Sequence, residues 1–208
     1  MKKLLLLLFC APAMVWGQRA VGGPCEGCEA IHESQVPFDR LQAFTRLPGV
    51  TDSSPNRLGI NGVVFQADGK TPAPNVILYI YHTDPETGIY PRKGDEKGWA
   101  RRHGYIRGWM KTNHKGEYKF VTRRPAPYPD RTEPAHIHIV VLEPGLKEYY
   151  IDEYLFDDDP LLTDAVRKRQ LNRGGSGILH LNDVGEGMFK AERNIYLGRN
   201  IPGYPSSR

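Results

Sequence analysis

The chain is 208 residues long and carries 28 basic against 24 acidic side chains, a formal net charge of +4. Opposite charges are interleaved, as in Arg92-Lys93-Gly94-Asp95-Glu96-Lys97, so no continuous basic stripe forms and a nucleic-acid footprint is excluded. The apolar run over residues 4–9 is too short for a membrane span, which needs about 20 residues.

Lys2 and Lys3, that apolar run and the small residues after it read as a secretory signal over residues 1–17, which predicts export to the periplasm or the outside. Of the three cysteines, Cys25 and Cys28 then remain. No second pair completes a zinc site, so outside the cytoplasm this Cys-x-x-Cys reads as a local disulfide. Residues 18–57 form an irregular polar arm with a short helix around 38–46. The arm is expected to pack on the domain or on another subunit, which makes it the candidate contact of a homo-oligomer.

The texture changes at Leu58, where a domain over residues 58–208 begins. A strand is predicted over 59–65, with a turn at 67–70. A second strand over 76–82 is rich in β-branched and aromatic residues. After a loop at 84–88, residues 109–122 read as a hairpin turning at 113–116. Another strand follows over 135–142. Residues 157–160 make a loop whose aspartates read as a cap before Pro160 rather than a calcium site, and 161–171 a short helix. Late strands are expected at 178–181 and 192–197. Short strands with turns between them predict an all-β fold: an antiparallel β-sandwich with an irregular N-terminal arm and one or two short helices.

The segment from Pro125 to His138 carries the chemistry. It places Tyr128, His136 and His138 within eleven residues and stiffens the stretch with four prolines. In a strand, His136 and His138 share one face, their Cα atoms roughly 7 Å apart. Tyr128 lies between Pro127 and Pro129, which hold its backbone extended. A phenolate with two neutral imidazoles suits a hard or borderline transition metal, iron above all. His32, His82, His103, His114 and His180 read as surface or packing residues.

The segment and its surroundings resemble the intradiol ring-cleavage dioxygenases. The resemblance runs, in order, through Pro72-Ala73-Pro74-Asn75, Gly88-Ile89-Tyr90 and Thr112-Asn113-His114-Lys115-Gly116-Glu117-Tyr118-Lys119-Phe120. It continues through Pro125-Ala126-Pro127-Tyr128-Pro129, Glu133-Pro134-Ala135-His136-Ile137-His138 and the aromatic, acid-ended Glu153-Tyr154-Leu155-Phe156-Asp157-Asp158-Asp159. It implies a non-haem Fe(III) cofactor held by Tyr90, Tyr128, His136 and His138. It also implies an oxidoreductase that opens a small aromatic diol with O2 to a muconate-type diacid, Tyr128 giving way when the diol binds. Tyr79, Tyr81 and Tyr105 are neighbouring candidates for the place of Tyr90.

Two residues depart from that pattern. The family arginine three residues before the first histidine is Glu133 here, with Arg131, Arg124 or Arg123 as stand-ins. The catalytic set implied is therefore Tyr128, Arg131 and Glu133. A family glutamine on the later aromatic strand is Glu153. Two added carboxylates near a pocket would disfavour an anionic, carboxylated catechol. The alternative is a transthyretin-like β-sandwich that binds without turnover, for which Glu133 is the support.

Overall fold

The computed structural model describes residues 21–205, so the secretory signal expected over 1–17 lies outside the described residues. The strands are β1 (Phe44–Arg46), β2 (Arg57–Phe65), β3 (Ile77–Tyr81), β4 (Arg107–Lys111), β5 (Glu117–Arg123), β6 (His136–Leu142), β7 (Tyr149–Tyr150), β8 (Tyr154–Phe156), β9 (Ile178–Leu179), β10 (Asn182–Asp183), β11 (Met188–Glu192) and β12 (Ile195–Tyr196). Two short helices, α1 (Ala100–His103) and α2 (Asp164–Lys168), and 3-10 turns at Cys28–Glu33 and Phe38–Arg40 complete the elements.

One sheet runs β1-β5-β2-β11-β10 with β12 also on β2; the other runs β4-β3-β6-β8-β9 with β7 on β6. The central ladders β2–β5, β3–β4 and β3–β6 are antiparallel. The sandwich is nonetheless mixed, because β1–β5, β11–β2, β12–β2 and β8–β9 pair in parallel. Each of those pairs joins segments linked by long excursions rather than a tight hairpin turn, which leaves parallel pairing open.

Alternation builds the interior. Leu58, Ile60 and Val64 of β2 point inward while Asn61 is exposed. They meet Tyr118 and Phe120 of β5, Leu78 and Ile80 of β3, and Ile137, Ile139 and Val141 of β6 in one buried cluster. The opposite face of the second sheet is buried too, where Ile77, Tyr79 and Val140 pack against Cys28, Ala30, Ile31 and Leu41 of the arm. Burial on both faces explains why β3 and β6 read as nearly unbroken apolar runs. The arm is clasped near its start by the Cys25–Cys28 disulfide.

Two expected helices differ. Over 38–46, where the sequence predicts a helix, a turn is followed by β1, because the free edge of β5 takes the chain as a strand: Lys119 N–H donates to Ala43 C=O at 2.7 Å. The helix expected over 161–171 shrinks to α2, since Asp159 engages the backbone first, accepting from Leu161 N–H at 2.8 Å. Only after Thr163, whose hydroxyl caps Val166 N–H, does the helix begin.

Candidate metal centre

The outer face of the second sheet brings three strands together at one end. Register sets Tyr81 of β3 opposite His138 of β6. On the other side of β6, His136 faces Leu155 and Ile137 faces Tyr154 of β8. One further step along that ladder places Glu153 beside His138. His136 and His138 share this outer face because Ile137 between them turns into the sandwich core.

Two loops supply the phenols. Gly88 has φ 69° and lies so close to Pro127 that a Cβ there would collide with the Pro127 carbonyl oxygen. Only glycine permits this approach, which brings Tyr90 alongside Tyr128. A second tie, from Thr83 Oγ1 to Ala126 C=O at 2.7 Å, holds the same two loops together.

The four predicted ligands converge. The Tyr90 hydroxyl lies 2.7 Å from the Tyr128 hydroxyl and 2.7 Å from His138 Nε2. The Tyr128 oxygen is 3.2 Å from His136 Nε2 and 3.4 Å from His138 Nε2. Both imidazoles are held from behind. His136 Nδ1 lies 2.8 Å from Pro134 C=O, and His138 Nδ1 lies 2.6 Å from Glu153 Oε1. Each Nδ1–H therefore has an acceptor, so each Nε2 presents its lone pair to the cluster. Two phenol oxygens and two imidazole nitrogens turned inward on fixed side chains fit a small, highly charged cation.

The electrostatics are those of a site that wants such a charge. Burial raises the Tyr90 phenol well above its ordinary value, helped by the hydrogen bond Tyr90 donates to Tyr128. Burial also raises Tyr128, with the charges of Glu153 and Glu133 adding to it. His136 is lowered by burial and by the neighbouring His138. Burial opposes ionisation of Glu153, yet the imidazoles of His138 and His136 hold its carboxyl down to about 2. A bound cation would reverse the penalty on both phenols, since coordination favours the deprotonated form.

The other predicted residues are not drawn in. Arg131 is exposed, at φ 54° in a turn closed by its own N–H on Tyr128 C=O at 2.8 Å. Among the described residues no hydrogen bond or ion pair joins its guanidinium to the four donors. Arg124 is paired with Asp158 at 2.7 Å and Arg123 with Glu86 at 2.5 Å, so neither stands in for the missing arginine. Glu133 is exposed, acting on the site only through its charge. Of the alternative tyrosines, Tyr79 hydrogen-bonds His103 and Tyr81 stacks on His138 at 4.4 Å; no hydrogen bond joins either hydroxyl, or that of Tyr105, to the donor cluster among the described residues.

Three residues matter more than their sequence context implied. Glu153 bonds His138 instead of lining open space. Tyr81 lies flat between His138 and His103, whose ring is 3.8 Å away and nearly parallel. His103 in turn sits against Gly27 of the disulfide loop. A cavity of about 290 Å³, walled by Cys25, Glu26, Tyr81, Tyr150 and Glu153, opens against His138, so the arm forms part of the surroundings of the site. The Asp157, Asp158 and Asp159 carboxylates are engaged by His180, Arg124 and the Ala135 N–H respectively.

The dioxygenase family model matches residues 39–195. A catechol 1,2-dioxygenase of Acinetobacter baylyi is 27% identical over 154 residues, 59% of this chain and 47% of that protein, so the chain spans about half the length of that relative. Among solved structures, the dioxygenase domain of a dioxygenase carbohydrate-binding protein fusion from Streptomyces sp. SirexAA-E superposes with a TM-score of 0.54 at 19% identity, over 79% of this chain and 94% of that one. Hydroxyquinol 1,2-dioxygenase from Pseudomonas putida DLL-E4 gives 0.53 at 18% identity, over 81% and 69%. At such identities the structures share a fold.

Proposed function

Because the chain belongs to the intradiol ring-cleavage dioxygenase family, we propose that it is an exported enzyme that holds a non-haem ferric ion on Tyr90, Tyr128, His136 and His138 and opens a catechol-type ring with O2. The observation that carries this reading is the convergence of two phenol oxygens and two imidazole Nε2 atoms while both Nδ1 atoms are otherwise engaged. A ferric ion held by Tyr90, Tyr128, His136 and His138 would supply Lewis-acid chemistry toward a catechol-type diol. The reaction balances as one diol plus one O2 giving one cis,cis-muconate-type diacid, with both oxygen atoms retained in the product.

The chain's own residues orient and move protons. Tyr128 is held between two prolines, its oxygen within hydrogen-bonding distance of Tyr90 and His136, so it is placed to accept a proton from an arriving diol. Tyr90 is the more enclosed partner through its two 2.7 Å contacts. With Glu153 committed to His138, Glu133 acts on the site through its charge. Its charge favours a neutral catechol over a carboxylated one, so turnover of catechol should exceed that of protocatechuate.

The test is the visible spectrum of the mature protein purified with iron. A burgundy tyrosinate-to-iron band, lost in Tyr128→Phe and shifted by added catechol, is the expected result. A colourless protein that takes up no iron would refute it and favour the non-catalytic binding module, the reading that Glu133 in place of the family arginine supports.

A further inference from the structure

The two imidazoles at the centre are not equivalent. His136 leans on the neutral carbonyl of Pro134, whereas His138 leans on a carboxylate, that of Glu153. We propose that Glu153 is a positioning residue that fixes His138 with Nδ1 protonated and, by its negative charge, makes His138 the stronger electron donor of the pair, favouring ferric over ferrous iron. The proposal rests on the ferric reading above and adds to it a residue and a direction.

Three observations carry it. The Glu153 oxygen is 2.6 Å from Nδ1, a charge-assisted hydrogen bond. That bond lies along a cross-strand row, so the backbone of β6 and the start of β8 hold both ends. The ring is also clamped face-on by Tyr81 at 4.4 Å with 18° between planes, and Tyr81 is backed by His103. A carboxylate behind a ligating imidazole increases its basicity, and its removal costs roughly 10–100-fold in metal affinity. An anionic donor stabilises the more highly charged oxidation state preferentially, because the attraction grows with the charge of the ion.

The two parts separate in two variants, Glu153→Gln and Glu153→Leu. In metal-free protein, nitrogen NMR of His138 is expected to report the Nδ1–H tautomer in the wild type and in Glu153→Gln, and a mixture in Glu153→Leu. Binding titrations with ferric and ferrous iron are expected to show Glu153→Gln losing about tenfold in ferric affinity with ferrous affinity nearly kept. Glu153→Leu should lose both orientation and ferric preference. A Leu variant with the wild-type tautomer overturns the orienting role, and a Gln variant with unchanged ferric-to-ferrous preference overturns the charge role. A wild-type protein that takes up neither ion sinks the ferric reading and the charge role with it, while the tautomer comparison still decides orientation.

Discussion

His82 ties the stability of the whole sandwich to pH. Its ring is 1% exposed, with Nδ1 2.6 Å from Thr83 C=O and Nε2 2.6 Å from Thr122 Oγ1. The neutral ring satisfies both: Nδ1–H donates to the carbonyl and Nε2 accepts from the hydroxyl. Burial pushes its pKa down to about 4, overriding the backbone bond to Thr83 that favours the cation. The folded state therefore binds its proton later than the unfolded chain does. Stability is full above the unfolded value of 6.5 and drains away as pH falls toward 4. The difference between the limits is roughly 3 kcal/mol, of which about 2 kcal/mol is expressed by pH 5. His82→Gln keeps a donor and an acceptor in reach and removes the titration. Urea unfolding of metal-free protein at about pH 7.5 and about pH 5 should show the wild type losing about 2 kcal/mol more than the variant over that interval. Equal losses in the two proteins would refute the argument that His82 is held neutral by burial.

Two further substitutions probe the packing. Gly62 of β2 lies against the Arg193 backbone, so Gly62→Ala would drive a methyl into a carbonyl oxygen and should cost about 2–4 kcal/mol in denaturation. Gly59→Ala, three residues earlier, meets only the flexible end of Met188 at 2.7 Å and should cost clearly less; equal costs would show that β2 shifts freely. Arg193 is 3% exposed, its guanidinium 4.6 Å over the Tyr154 ring, and among the described residues its Nε and both terminal nitrogens have no hydrogen-bond partner. Arg193→Met should leave stability unchanged or raise it by about 1–2 kcal/mol, since it removes a desolvated charge and keeps the volume. A loss above about 3 kcal/mol would show that the cation sustains the fold.

Much of the centre was legible because its signals are local. The alternation around Ile137 places both histidines on one face, and prolines on either side of Tyr128 constrain its backbone. Tyr90 was legible only through the family pattern, since its approach depends on the Gly88–Pro127 contact between loops far apart in sequence. Glu153 stood out as a departure, but its role depends on strand register: β8 must pair with β6 before Glu153 and His138 stand side by side. Arg131 shows the converse limit. Its sequence distance from His136 is short enough for a stand-in, yet the left-handed turn at φ 54° leaves it exposed. The helix expected at 38–46 failed for a similar reason, because the free edge of β5 outweighs the modest helix propensity of those residues.

That edge has a consequence for how copies of the chain meet one another. The first sheet ends in β1, three residues long, and β10, two residues long, while the long strands β2 and β5 lie inside it. Strand ends this short offer a neighbour few unpaired amides to extend, which blunts edge-to-edge aggregation. A truncated chain begun at Leu58, where the sequence changes texture, would discard β1 and bare the backbone of β5 from Lys119 to Val121. The arm is thus a cover for the sheet as well as a wall of the candidate site, and removing it should yield a protein that precipitates.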